Sequence, residues 1–292
     1  MTVSFPGGGP SVGDPTVLKI LLGAQLRRLR DLAGVSRDEA GYHIRASGSK
    51  ISRLELGRVS FKERDVADLL DLYGVVGEQK DQLLQLTHEA NATPWWQKYR
   101  EVVPDWFQVY VGLEEAAALI RIYEVQFVPG LLQTEDYARA VVVQGAPSLS
   151  PEEIDSRVAV RMGRQKLFSR ENPARLWAVV DEAALRRPIG SRDVLAGQIN
   201  RLIDTTSEPN ITLQVMPFKH GGHAAEGGAF TIMRFPEADL PDMVYMEYLT
   251  GAHYIDKPDD VELYAAVMER LSVAGTSPEK TRDILGDILK EL

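Results

Sequence analysis

The stretch from Ser36 to Gly57 reads SRDEAGYHIRASGSKISRLELG, and its helix start and stop signals decide the fold of the N-terminal part. Ser36 is followed three residues later by Glu39, and this capping box predicts the start of a short helix. Ser47 is a favourable cap for a second helix, and Gly57 is a favourable stop after it. The stretch is therefore predicted to form two short helices joined by a tight turn.

The second of these helices has one face for packing and one face for solvent. Ile51 and Leu54 lie three residues apart, so they are expected to anchor the helix in a core. Ala40 and Gly41 in the first helix are small, which allows the second helix to cross closely. The outer face and first turn carry small, hydroxyl or basic residues: Gly48, Ser49, Lys50, Ser52 and Arg53. A helix of this kind is typical of helix-turn-helix proteins, which place it in the major groove of DNA.

The side chains around this outer face have the chemistry that duplex DNA requires. Lys50 and Arg53 can reach phosphates or guanine edges, and the serines can bond to bases or phosphates. The predicted DNA-binding residues are Arg37, Ser47, Gly48, Ser49, Lys50, Ser52, Arg53 and Arg58. Two alternatives stay open: a helical hairpin that only packs, and a fold of this type that binds protein instead of DNA.

Apolar residues on both sides of the stretch predict further helices. Upstream, leucines recur at helical spacing at Leu18, Leu21, Leu22, Leu26 and Leu29. Downstream, helices are predicted at 65–73 and 78–91. The N-terminal part is therefore predicted to be an all-α helix-turn-helix bundle of about five helices.

Residues 17–75 resemble the Xre/lambda-repressor family of transcriptional regulators, and the resemblance covers the whole bundle. It implies that the second helix of the pair reads DNA. The chain departs from the family pattern at the turn, where Arg45 stands in place of the glycine of many relatives.

The distribution of charge also favours DNA binding by the bundle. The protein has a net charge of −9, yet residues 17–60 contain nine Lys or Arg against four Asp or Glu. This segment therefore carries +5 and the rest of the chain −14. A basic patch on an acidic body suits a protein that binds duplex DNA locally.

Length and composition predict a cytoplasmic protein of two domains. The chain has 292 residues and contains no apolar run of about 18 residues that would predict a membrane span. Residues 1–15 are rich in Gly and Pro and lack the features of a secretory signal, so we expect a disordered tail. The absence of cysteine excludes disulfides and thiolate zinc sites.

An aromatic segment at 92–108 is predicted to join the two domains. Proline interrupts helices there, which places the helix-turn-helix domain at 16–91 and the second domain at 109–292. The aromatic residues are Trp95, Trp96, Tyr99, Trp106, Phe107 and Tyr110. We expect these rings to pack the domains together; the alternative is stacking on nucleic-acid bases beside Arg100.

The second domain is predicted to be mixed α/β (α+β) with a small sheet. Helix start signals occur at Thr134, Ser150 and Ser277. The predicted helices cover 113–125, 135–143, 151–169, 192–205 and 278–290. The predicted strands cover 176–180, 211–216, 230–235 and 243–248.

This second domain resembles a C-terminal domain of unassigned biochemical role that accompanies Xre-type domains in actinomycete regulators. The resemblance spans about 105–288 and rests on the segments GLEEAAALIRIYEVQFVPGLLQTEDYARA, RMGRQKLF, DEAALRRPIG, ITLQVMPFKHGGHAAEGGAFTI and VYMEYLTG. Some such regulators are paired with a small neighbouring-gene protein in an antitoxin-like or developmental arrangement. The resemblance therefore implies a small protein partner.

The stretch around His220, His223 and Glu226 has the side chains best suited to metal binding or catalysis in the second domain. Two imidazoles and a carboxylate can bind zinc, but this loop is rich in glycine and lacks the helical spacing of zinc motifs. We expect a mobile loop between two strands that receives a ligand or partner, and no metal. Asp181 and Glu182 are adjacent after a strand and are expected to cap a helix, with acid/base catalysis as the alternative. Nucleotide-binding and nucleophile motifs are absent, so no cofactor and no enzymatic activity are predicted.

A row of cations and an amide in the predicted helix 151–169 is a second candidate for partner or ligand binding. Its members are Arg157, Arg161, Arg164 and Gln165, which could hold an anion or an acidic partner. The alternative is a solvated helix face with ion pairs.

These patterns together predict a transcriptional regulator. The N-terminal bundle is expected to read double-stranded DNA, while the C-terminal domain forms a homodimer and receives a small-molecule or protein signal. One alternative is an antitoxin-like protein that sequesters a small partner. The other is an enzyme with an attached DNA-targeting bundle.

Overall fold

A computed structural model describes residues 15–57, 59–236 and 240–292, and the chain divides into two compact units between Gln97 and Lys98. This boundary falls inside the segment 92–108, where the sequence predicts a junction. The predicted disordered tail lies almost entirely outside the described residues, as does Arg58 of the predicted DNA-binding set.

The described part of the first unit is an all-α bundle, as the sequence predicts. Its helices are α1 (Pro15–Leu32), α2 (Arg37–His43), α3 (Gly48–Glu55), α4 (Glu63–Leu72) and α5 (Glu78–Ala90), followed by a short 3-10 helix at Trp95–Tyr99. The core between them consists of buried aliphatic side chains, among them Leu22, Leu26, Ile51, Leu54, Val66 and Leu70. The amphipathic spacing of these residues explains why the helices pack around one centre.

The helix starts of the helix-turn-helix pair are those that the sequence predicts. Ser36 and Glu39 form a reciprocal capping box, with the Glu39 amide donating to Ser36 Oγ at 3.2 Å. Ser47 Oγ accepts from the Lys50 amide at 3.3 Å and so caps α3. The turn between the helices contains Arg45 at a φ of +56°, a left-handed conformation that glycine adopts more easily.

The second unit contains one mixed sheet and several helices. Its helices are α6 (Asp105–Ala116), α7 (Glu135–Gly145), α8 (Pro151–Arg164), α9 (Glu182–Arg186), α10 (Arg192–Thr205), α11 (Pro258–Ala274) and α12 (Pro278–Glu291). Its strands are β1 (Leu119–Glu124), β2 (Arg175–Asp181), β3 (Ile211–Met216), β4 (Phe230–Arg234), β5 (Met243–Tyr248) and β6 (Gly251–Ile255). This arrangement confirms the predicted α+β class. No helix in the described ranges has the length and apolar character needed to cross a membrane.

Two predictions about element type in this unit were wrong. The segment 113–125 does not form one helix, because α6 ends at Ala116 and strand β1 begins at Leu119. The apolar residues of α6 and of β1 (LIRIYE) follow one another with few interruptions, and apolar spacing over so short a run does not distinguish a helix from a strand. The helix expected to reach Ser169 ends at Arg164 and continues as the 3-10 helix Gln165–Ser169.

The sheet has the strand order β3-β2-β1-β4-β5-β6, with β1, β2 and β3 parallel and the remaining pairs antiparallel. Strands β2 and β3 are added in sequence on one side of β1. The chain then returns, and β4 pairs with the other side of β1. Tyr123 and Glu124 occupy the carboxyl end of β1 and point to opposite faces of the sheet.

Candidate DNA-binding surface and polar sites of the second unit

Helix α3 is fixed in the first unit by both apolar and charged contacts. Ile51 and Leu54 are buried, as predicted. Glu55 at the end of α3 is also buried and forms an ion pair with Arg30 of α1. It accepts a second hydrogen bond from Arg37 of α2, at 3.0 Å from Arg37 Nε. The carboxylate thereby joins three helices of the bundle and sets the position of α3.

The opposite face of α3 is open to solvent. Ser49 and Arg53 are exposed, and Ser52 is half-buried. Arg53 forms no hydrogen bond or ion pair with any residue that the structure describes. Its five N–H donors are therefore available, and guanidinium is the group that most often reads guanine in the major groove.

Other members of the predicted DNA-binding set have structural contacts instead. Lys50 Nζ lies 2.6 Å from Asp65 Oδ2, so this cation ties α3 to α4. Arg37 is held by Glu55, although nearly half of its side chain stays exposed. A Cβ at Gly48 would lie 2.2 Å from Asp38 Oδ1, so a larger residue there would have to displace the exposed Asp38 side chain. Ser47 uses its hydroxyl as the helix cap.

Sequence reasoning did not include Arg45 in the DNA-binding set. Its side chain is exposed in the turn immediately before α3, and it forms no hydrogen bond or ion pair in the described part of the chain. The signal was present in the sequence, because an arginine at a turn position that favours glycine costs conformational energy. A cation there adds positive potential at the amino-terminal end of α3.

The predicted loop candidate of the second unit forms one polar network instead of a group of three ligands. His223 Nε2 lies 2.9 Å from the Tyr123 hydroxyl, which lies 3.5 Å from Asp181 Oδ2. His220 and Glu226 are exposed and take no part in this network. Among the described residues, no three His, Asp or Glu side chains are grouped in a way that could hold a metal ion.

The hydrogen bonds of this network are mutually consistent. The Ala225 amide donates to His223 Nδ1 at 3.3 Å, which leaves the proton on Nε2 to be donated to Tyr123. The Tyr123 hydroxyl can then donate to Asp181, whose other oxygen caps α9. Burial and the Asp181 carboxylate raise the pKa of Tyr123, so the phenol keeps its proton. The network ties the glycine-rich loop to the carboxyl ends of β1 and β2.

The arginines of α8 differ from one another in their surroundings. Arg164 is buried and binds Glu114 of α6 with two hydrogen bonds, of 2.6 and 2.7 Å. Burial alone would lower the pKa of Arg164, but Glu114 raises it above the usual value. Arg157 donates to the Val102 carbonyl at 3.0 Å, and Gln165 donates to the Gln133 carbonyl at 2.7 Å. Arg164 is therefore closed to an anion, while Arg157 and Gln165 use part of their hydrogen-bonding capacity to hold neighbouring backbone.

Arg161 is the exception among these residues. It donates one hydrogen bond, of 3.3 Å, to Gln133 Oε1 and forms no ion pair in the described part of the chain. Burial and the neighbouring Arg164 lower the pKa of Arg161 to about 10, so it remains a cation at neutral pH. Glu124 lies close enough to interact with this charge, and burial together with repulsion by Glu247 raises the pKa of Glu124 to about 8.

Comparison with known families agrees with the geometry of both units. Residues 21–83 match the helix-turn-helix domain family, which supports a DNA-binding regulator. Residues 107–287 match the family described as domain of unknown function, DUF5753. Since this second match covers more than half of the chain, the protein belongs to the DUF5753 family. No curated protein and no solved structure matches the chain.

Proposed function

We propose that the protein is a sequence-specific transcriptional regulator of the Xre type that acts in the cytoplasm, on chromosomal DNA. The observation that carries this proposal is the geometry of α3. Ile51, Leu54 and Glu55 fix its inner side, while Ser49 and Arg53 stay exposed on its outer side. A rigid helix with an unpaired guanidinium on its free face is suited to base readout in the major groove.

In this proposal the second unit binds a signal molecule or a partner protein and does not catalyse a reaction. Its most reactive group of side chains, Tyr123, His223 and Asp181, is fully used in hydrogen bonds within the protein. A general base or nucleophile needs a free position toward its substrate, and this network leaves none on His223. Its role is to hold the loop at the sheet edge.

Replacing Arg53 with alanine should weaken binding to the specific operator by about fivefold to a hundredfold, because one guanidinium contact to a base contributes about 1–3 kcal/mol. Genomic footprinting of the wild-type protein would first identify the operator. A titration by fluorescence anisotropy then compares the variant with Arg270→Ala, which removes an exposed arginine of the second unit. Equal affinity of Arg53→Ala and the wild type would contradict the assignment of α3.

We also propose that the regulator acts as a homodimer through its second unit. One small bundle makes few phosphate contacts, and dimers of this motif read two half-sites about 34–36 Å apart. Light scattering at micromolar concentration should show the mass of two chains, and the operator should contain an inverted repeat. A monomeric mass both with and without DNA would refute the dimer.

A further inference from the structure

We infer that two copies of the chain join edge to edge through β6, so that their sheets become one continuous sheet. The two copies are related by a two-fold axis that passes beside His253, the middle residue of β6. This inference names the interface of the homodimer and therefore rests on that part of the proposed function. It does not depend on DNA binding.

The two edges of the sheet differ in what covers them. On the outer side of β3, the Thr276 amide donates to the Val215 carbonyl at 2.9 Å, and the Val215 amide donates to Thr276 Oγ1 at 3.0 Å. The connection between α11 and α12 therefore satisfies that edge. On the outer side of β6, no hydrogen bond is formed by any residue in the described ranges. An open strand edge is a template for pairing with a strand of another chain.

The tight turn between β5 and β6 fixes which backbone groups point outward. Tyr248 pairs with Gly251, so the loop has only two residues, and a hydrogen-bonded pair closes a loop of this length. Hydrogen-bonded pairs then alternate along the ladder, so the next one is at His253. The N–H and C=O groups of Ala252 and Tyr254 therefore point away from β5. Each of these two residues offers one donor and one acceptor at the open edge.

A second copy of β6 matches this pattern when it runs antiparallel and is centred on His253. Ala252 then lies opposite Tyr254 of the partner subunit, and each of the two such pairs exchanges both of its hydrogen bonds. Since β6 is a strand of five residues, this is the register that pairs its full length. Its sequence, GAHYI, contains no Lys, Arg, Asp or Glu, so no permanent charges oppose one another across the interface.

An apolar side chain at the tip of the hairpin supports a second copy as the partner. Leu249 is fully exposed. The same register, continued by two residues, places it opposite Lys257 of the partner subunit, directly before α11 begins at Pro258. There the leucine can pack on the methylene groups of the lysine and lose contact with water. Pairing of two short strands buries little surface, so this contact adds to the area that a stable dimer needs.

The first test uses the absence of cysteine from the chain. His253→Cys places the one thiol of each chain in a non-hydrogen-bonded pair on the two-fold axis, with a Cα separation of about 4.5 Å. This separation is within the range for a disulfide. Under mild oxidation, the full-length variant should form covalent dimers in non-reducing electrophoresis. Ala252→Cys is the matched control, because its thiols are too far apart diagonally to join, and its yield of covalent dimer should be at least tenfold lower.

The second test exchanges charges on the same axis. His253→Lys and His253→Glu each place two like charges directly opposite one another, so each should weaken dimerisation at least tenfold in analytical ultracentrifugation. An equimolar mixture of the two variants should recover the dimer, since a lysine then faces a glutamate. Circular dichroism of the separate variants checks that both are folded.

Two results would overturn this interface and leave the homodimer standing. One is a dimeric wild type in which His253→Cys gives no more covalent dimer than Ala252→Cys. The other is full dimerisation of both charge variants when each is measured alone. A monomeric wild type would refute both the interface and the proposed homodimer. Operator affinity is measured separately, so a failure to bind DNA would refute the regulator and leave the result on β6 intact.

Discussion

Replacing Glu55 with glutamine should destabilise the first unit by up to about 3 kcal/mol, the lower end of the range for a broken buried pair, because the buried Arg30 then keeps only the largely exposed Asp31 as a described ion-pair partner, at 2.8 Å. Glu55 and Arg30 are both less than a tenth exposed, and Arg30 cannot give up its proton. Burial alone would favour a neutral side chain, but the Glu55 carboxylate raises the pKa of Arg30. The amide of glutamine keeps the shape of the side chain but not its charge.

Thermal unfolding followed by circular dichroism measures this effect. We expect the transition of the first unit to move to lower temperature and to separate from that of the second unit, since the two are compact separately. Glu63→Gln is the matched control, because it removes an exposed carboxylate from the same unit and should leave the transition unchanged. Equal melting of Glu55→Gln and the control would show that the pair does not stabilise the bundle.

Replacing Arg164 with methionine should destabilise the second unit by about 3–5 kcal/mol. The substitution leaves the carboxylate of Glu114, only 1% exposed, without its two charge-assisted hydrogen bonds. It also removes a guanidinium that lies 5.2 Å from the ring centres of Phe107 and Tyr110. Methionine has a comparable length, so the main loss is the charge and its hydrogen bonds.

A double variant separates the charge effect from a packing effect. Arg164→Met combined with Glu114→Gln removes both charges and keeps an acceptor for the buried Tyr110 hydroxyl, which lies 2.7 Å from Glu114 Oε1, so it should recover most of the stability that Arg164→Met loses. Urea unfolding of the full-length chain gives the free energies for the cycle. A double variant as unstable as Arg164→Met would mean that packing against Phe107 and Tyr110 determines the loss.

Local sequence signals predicted the first unit well because they act over a few residues. The capping box at Ser36 and the cap at Ser47 depend on a side chain and an amide three positions away. Local signals of this kind do not explain the conformation of Arg45. The turn conformation at Arg45 is held by the packing of the two helices, and propensity alone would have favoured glycine.

Contacts between distant residues explain where sequence reasoning about the sites failed. The arginines of α8 look alike in the sequence, yet Arg164 binds Glu114, which precedes it by 50 residues, and Arg161 forms no ion pair with any described residue. The sequence predicts that Lys50 contacts DNA, but in the fold it forms an ion pair with Asp65 of α4. The loop histidines were grouped because they are close in sequence, but only His223 reaches Tyr123.

The sequence by itself determined the helix-turn-helix pair, the α+β class of the second unit and the basic charge of the N-terminal part. These properties follow from capping, periodicity and composition, which are local or additive. Only the tertiary structure decided that the segment 113–125 contains strand β1 and that β1 lies at the centre of the sheet. It also decided which charges are paired and which remain open, because ion pairing depends on the side chains that folding brings from other elements.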